Sequence, residues 1–172
     1  NYFFRLEKHE SWLLEQIDSD QIRVAPSARK NEVLGRIRGG LQKVPVSRQI
    51  KEGDSDWGIR MPGDDGHRVY GWIEALCNYL TVVDTDDRLK YWPADVHVMA
   101  KDILWFHAVI WPAMLRARGR PIPKTIYAHA YWIREGRKMS KSLGNFIEIE
   151  TIEAYADKYS LDAVRWYLVT QG

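Results

Sequence analysis

The sequence is poor in the residues that lock a fold covalently or anchor it in lipid. Only one of its 172 residues, Cys77, is a cysteine, so this segment alone can form neither an intrachain disulfide nor a Cys-rich zinc cage. A reducing compartment is the natural expectation, the cytoplasm, with a mitochondrial location as the alternative. No apolar run approaches the roughly 20 residues that span a bilayer; the most hydrophobic stretch, Ala108 to Leu115, is short and contains Pro112. No membrane partner is expected. Excess charge of one sign is missing too, since 25 Lys and Arg face 23 Asp and Glu. A net charge of +2 permits a nucleic-acid partner without demanding one. Internal repeats and low-complexity tracts are absent. The chain opens at Asn1 rather than Met, and further residues are expected upstream.

What is present is core material. Hydrophobic residues make up 45% of the chain, with eight Trp and nine Tyr, enough for one domain or for one large lobe with a smaller attachment. From Tyr2 to Leu41 the pattern is mainly helical: Phe3, Leu6, Leu13, Leu14 and Ile17 in one stretch, Val33, Leu34, Ile37 and Leu41 in the next. Pro26-Ser27 supplies a helix start between them, and Gly39-Gly40 weakens the second helix near its end. A boundary is expected near Gln42. Short strands follow at Val44–Ser47 and Arg68–Trp72, joined by a Gly/Asp-rich turn at Pro62–Gly66. Helix Glu74–Leu80, strand Val96–Met99, helix Ile103–Arg118 and strand Thr125–His129 then alternate, before a polar loop and two more helices. Such alternation predicts parallel βαβ units, with the ligand site beyond the carboxyl ends of the strands, after Tyr70, Ala100 and His129.

The sharpest local signal is Lys138-Met139-Ser140-Lys141-Ser142, followed by Leu143-Gly144-Asn145 and entered through Gly136. Two lysines and two hydroxyls on a glycine-flanked loop can close over a polyphosphate, neutralising charge that builds in a transition state. A Lys/Ser cluster alone is more often a solvated loop. Two further stripes stand out. Ile103, His107 and Trp111 recur at i, i+4 on one helix, while Trp72, Leu76 and Tyr79 line another. Stripes of this kind are usually plain core. Aromatic walls also suit an unbranched thioether, whose sulfur gains about 0.3 to 1.5 kcal/mol from a ring.

Lys138 to Ser142 resembles the KMSKS signature of class I aminoacyl-tRNA synthetases, and two further stretches narrow the resemblance to their methionyl branch. These are Tyr70 to Leu80 (YGWIEALCNYL) and Lys101 to His107 (KDILWFH) with Trp111 to Leu115 (WPAML). The likeness extends over nearly the whole chain and is strongest from Trp57 onward. It implies an α/β fold: the second half of a Rossmann-like parallel sheet with flanking helices, plus the start of a helical stem region. Residues 1–42 would form the helical end of a connective insertion, 43–135 the second half of the catalytic domain, and 136–172 the KMSKS loop and the first stem-contact helices.

By position, the resemblance implies that Trp72, Leu76, Tyr79, Ile103, His107 and Trp111 border methionine. Asp102 and Lys101 would approach ATP, and Ser140, Lys141 and Ser142 would meet its phosphates, with Lys141 and Lys138 catalytic. The implied partners are methionine, ATP with Mg2+, and tRNA, for a methionine-tRNA ligase in which this chain is a partial catalytic region. The HIGH-type motif that completes the ATP grip and the Cys-rich zinc knuckle of the connective region have no counterpart here. The remaining part of the enzyme would therefore be required, any zinc would lie in that connective region, and the isolated chain is expected to be inactive. Ala100 stands where the family has glycine, Gly71 replaces a usual valine in the aromatic strand, and Glu74 replaces an aspartate. Two other readings stay open: a synthetase for another apolar amino acid, and a non-catalytic paralogue or binding module lacking the HIGH half.

Overall fold

A computed structural model describes residues 1–55, 57–134 and 136–170. The chain divides into two compact units, Asn1–Ala128 and His129–Gly172.

The amino-terminal stretch is less helical than its pattern predicts. A short strand β1 (Phe3–Phe4) and a 3-10 turn (Leu6–His9) precede α1 (Glu10–Asp18), which buries Leu13 and Ile17. Between the two expected helices lies a three-residue strand, β2 (Arg23–Ala25), of which only Val24 is buried. Helix α2 (Ser27–Arg38) starts directly after Pro26 and turns Val33, Leu34 and Ile37 inward. It stops where the pattern places its end, because Gly40 takes φ +95°, a conformation that L side chains rarely adopt.

Four short strands follow. β3 (Val44–Pro45) pairs with β1, while β4 (Ser47–Gln49), β5 (Arg60–Met61) and β6 (Asp64–Val69) make an antiparallel sheet in the order β4-β6-β5. The strand leading to Tyr70 therefore belongs to an antiparallel sheet, and the expected βαβ regularity does not reach it. Its reversal is tight, with Met61 facing Asp64 across Pro62-Gly63. Helix α3 (Gly71–Thr81) begins earlier than expected, and Gly71 is its first residue. This glycine thus weakens no strand, and a Cβ there would meet nothing within 4 Å.

The remaining strands of the first unit join β2 in the parallel sheet. β7 (Val96–Ala100) alternates outward and inward residues, burying His97 and Met99. The chain then passes through a 3-10 turn (Lys101–Ile103), a π-helical turn (Phe106–Ile110) and α4 (Trp111–Ala117). It returns as β8 (Thr125–His129), which occupies the centre of the order β2-β8-β7 and runs parallel to β2. Ile126 and Ala128 of β8 join Val24, Met99, Val109, Trp111 and Leu115 in one apolar core with α1 and α2. The result is a mixed α/β fold with a parallel sheet and flanking helices.

In the second unit, β9 (Ile133–Arg134) and β10 (Arg137–Lys138) form a hairpin within what reads as a loop. A 3-10 turn (Lys141–Leu143) and helices α5 (Ile149–Tyr159) and α6 (Leu161–Thr170) follow. Among the described residues, no helix is long and apolar enough to cross a membrane.

Candidate active site

The first unit holds an aromatic chamber between α3 and the π turn. At its centre is His107. One ring nitrogen, Nδ1, lies 2.9 Å from the carbonyl oxygen of Ile103, and Nε2 lies 2.9 Å from the hydroxyl of Tyr79. A carbonyl can only accept, so Nδ1 carries the proton. Burial holds His107 below the ordinary histidine value, so the ring is neutral near pH 7. Nε2 must then accept, and Tyr79 O–H donates. Two hydrogen bonds thereby fix one tautomer and one ring orientation. The π turn makes this possible, since Ile103 O is the carbonyl that a regular α-helix would offer to the backbone N–H of His107.

Around this pair stand Trp111, with its centroid 6.2 Å from Tyr79, and His97, 4.3 Å from Tyr79 and 5.9 Å from His107. Trp92 closes the side edge-on, 6.4 Å from His97 and 6.2 Å from Trp111, and its Nε1–H donates to Pro121 O. Trp72 stacks on Phe106 at 4.5 Å. Exposure separates rim from floor: Trp72 and Tyr79 are 36% and 37% exposed, whereas Leu76, His107 and Trp111 are 1%, 2% and 1%. A ligand would meet the first two directly and be shaped by the other three. Ile103 is half-buried beneath them and contributes its carbonyl.

His97 carries no signal in the sequence beyond a polar letter at an inward position of a strand. Burial first, and then the neighbouring His107, push it down to about 4. Its Nδ1 and the Nε1 of Trp111 are buried without a hydrogen-bond partner among the described residues, an arrangement that costs about 1–3 kcal/mol per group.

Lys101 and Asp102 lie just past β7. Ala100 precedes them at φ −74° and ψ 151°, an extended conformation open to any L residue, so the backbone there does not need the glycine usual at this position. Asp102 is the second residue of the 3-10 turn that begins at Lys101, and Ala100 takes the N-cap position. Both side chains line a cavity of about 230 Å3 with Arg29, Glu32 and Arg36 of α2 and with Leu104 and Trp105. The Arg36 guanidinium sits 3.7 Å over the Trp105 ring, a cation–π contact that holds α2 to this turn.

In the second unit, Lys138 to Ser142 form a structured bend. Asn145 clasps it at two points, its start and its middle: its Oδ1 accepts from the Ser140 N–H at 2.9 Å, and its Nδ2 donates to Lys138 O at 3.2 Å. The Ser140 and Ser142 hydroxyls are 2.7 Å apart. Gly144 closes the turn in the left-handed region at φ +65°. Lys138 Nζ lies 3.7 Å over the Tyr131 ring, while Lys141 Nζ stands 5.5 Å from that of Phe146. The tighter ring contact ties down the first ammonium more than the second. Asn145 has no helical or strand signature, and its clasp is visible only in three dimensions.

Comparison with known proteins gives a consistent result. The family model described as tRNA synthetases class I (M) matches residues 1–172. A methionine–tRNA ligase of Caldanaerobacter subterraneus subsp. tengcongensis is 42% identical over 99% of this chain and 26% of its own length. One from Rickettsia conorii is 43% identical over 99% of this chain and 33% of its own length. The crystal structure of Mycobacterium tuberculosis methionyl-tRNA synthetase bound by methionyl-adenylate aligns with a TM-score of 0.83 and 39% identity, covering 98% of this chain and 32% of that one. The chain thus spans about a quarter to a third of the length of the relatives it matches.

Proposed function

Since the chain belongs to the class I (M) tRNA synthetase family, we propose that it serves in activating methionine with ATP and passing it to tRNA, as one part of a methionine-tRNA ligase. The observation that carries the reading is the Tyr79–His107–Ile103 relay inside an aromatic chamber. It makes a neutral pocket with rings for a thioether to touch and one fixed tyrosine–imidazole pair, which suits an uncharged, unbranched side chain over a charged one.

In this reading the methionine side chain lies against Trp72 and Tyr79, with Leu76, His107, Trp111 and Ile103 shaping the floor. Its carboxylate attacks the α-phosphorus of ATP and pyrophosphate leaves. Asp102 accepts from a ribose hydroxyl and Lys101 lies beside it. Ser140 and Ser142 donate to phosphate oxygens, and Lys141 meets the departing pyrophosphate as its charge grows. Lys138, held on Tyr131, positions the bend. Mg2+ would supply further charge neutralisation and would arrive on the nucleotide phosphates; among the described residues no three His, Cys, Asp or Glu side chains stand together as ligands.

The test is ATP–pyrophosphate exchange in the full-length enzyme. Exchange should depend on methionine, and His107→Ala should raise the KM for methionine by roughly tenfold or more, a typical span for a lost contact in an apolar pocket, with little change for ATP. A selective loss of ATP affinity would refute the pocket assignment.

A further inference from the structure

We propose that His97 is a positioning residue for amino-acid selection: its ring, packed against Tyr79, holds the tyrosine hydroxyl on His107 and so fixes the wall that meets the incoming side chain. This rests on the amino-acid-pocket reading above and adds to it a residue that lies behind the pocket.

The argument begins with β7. Its alternation turns Val96 and Val98 outward and His97 and Met99 inward, and an inward position on a strand is normally apolar. An imidazole there is a poor core residue, because its Nδ1 is buried without a partner among the described residues. A leucine would fill such a position without that cost, so packing alone does not account for histidine. What the imidazole offers is a flat face, 4.3 Å from Tyr79 and tilted by 58°.

Tyr79 needs such a support. It projects from α3 with 37% of its surface exposed, and its hydroxyl must stay 2.9 Å from His107 Nε2. His107 itself is held from the other side by Ile103, so the imidazole is the fixed member of the pair and the phenol the mobile one. His97 is the nearest ring to Tyr79, and His107 and Trp111 lie farther off at 5.6 and 6.2 Å. Remove the flat face and the phenol can tilt into the space, breaking the bond that orients the pocket. His97 is 4% exposed and lies behind Tyr79, so a substrate meets Tyr79 and not His97. Its role is therefore exerted through another side chain.

Two substitutions in the full-length enzyme test this. His97→Leu removes the flat ring but keeps an apolar filling; His97→Phe keeps the ring. His97→Leu should raise the KM for methionine roughly tenfold, while the KM for ATP and kcat stay within about twofold of wild type. His97→Phe should retain a methionine KM within about threefold. Nitrogen NMR of His107 supplies a readout that general loosening would not give: Nε2 should move to its unbonded position in His97→Leu, with Nδ1–H retained, and stay put in His97→Phe. A methionine KM unchanged in His97→Leu, equal losses for methionine and ATP, or an unmoved Nε2 signal would overturn the proposal. If His97→Leu does not fold, His97→Met, an unbranched apolar filling without a flat face, takes its place: a raised methionine KM with displaced Nε2 supports the role, and a near-wild-type KM with unmoved His107 signals overturns it. Should the wild-type enzyme show no methionine-dependent exchange, the functional reading fails, while the His107 spectra still decide whether His97 holds Tyr79 in place.

Discussion

Replacing Tyr79 by phenylalanine removes a single oxygen from the aromatic chamber, and the structure says what that oxygen was doing. Its partner, His107 Nε2, belongs to a residue 2% exposed, and the opposite nitrogen is already committed to Ile103 O. The ring cannot turn to seek another donor without breaking that second bond. The variant should therefore leave a buried acceptor unpaired, a loss of about 1–3 kcal/mol. Because Tyr79 is partly exposed, water entering beside the new phenyl ring would relieve some of this, which places the expectation nearer 1 than 3.

A double-mutant cycle isolates the contribution. Tyr79→Phe, His107→Leu and the pair together would be unfolded in urea and followed by tryptophan fluorescence. If the hydroxyl matters through His107, removing it once the imidazole is gone should cost little, giving a coupling of about 0.5–3 kcal/mol. Single effects that add to within about 0.5 kcal/mol would refute the relay.

Three further outcomes follow from other parts of the molecule. Lys141→Ala in the full-length enzyme should slow adenylate formation by roughly a hundredfold to a thousandfold, or about 2.7–4 kcal/mol; a pre-steady-state rate within a few fold of wild type would remove its proposed role. Asn145→Ala severs both ends of the clasp on residues 138–145 and should speed amide exchange at Ser140 while α5 and α6 stay protected, and unchanged exchange at Ser140 would count against the clasp. Stability should also depend on His97, whose folded value of about 4 lies below its ordinary 6.5. Between those values the unfolded chain binds the extra proton, so this contribution is complete above about pH 6.5 and is lost as pH falls towards 4. The slope is at most about 1.4 kcal/mol per pH unit, and His97→Leu should flatten it in urea titrations at a series of pH values; an identical slope would refute the assignment.

Much of this was legible in the residues, for identifiable reasons. β7 and β8 follow from alternation, α3 and the helical run after Ile103 from their apolar stripes, and the end of α2 from Gly39-Gly40, where the local demand on the backbone is strong. β2 was not legible. It has three residues, one of them buried, and its existence depends on pairing with β8, about a hundred positions later. The antiparallel setting of the Tyr70 strand was hidden for the same reason, because strand direction is a property of partners. At the site, the stripes pointed to Tyr79, His107 and Trp111, which the fold does bring together. Periodicity could not reveal His97, a lone polar letter in a strand, nor Asn145, whose value lies in two backbone bonds made five and seven residues away.

The π turn at Phe106–Ile110 is where the helix takes up a residue that serves the chamber alone. Each residue of an α-helix advances the side chains by about 100°, and a π turn takes up an extra residue without lengthening the path by a full turn. Deleting one residue between Phe106 and Ile110 would let the segment relax to ordinary α-helix with Trp111, Ala113 and Leu115 still on the core, while the residues inside the turn change place and Ile103 O returns to the backbone ladder. The core can survive that deletion but the chamber cannot, since His107 lies within the turn and is bonded to both Tyr79 and Ile103. Loop segments elsewhere, such as residues 83–88, can change length at modest cost, but this stretch can change only in composition, and its residue count is as much a part of the site as His107 itself.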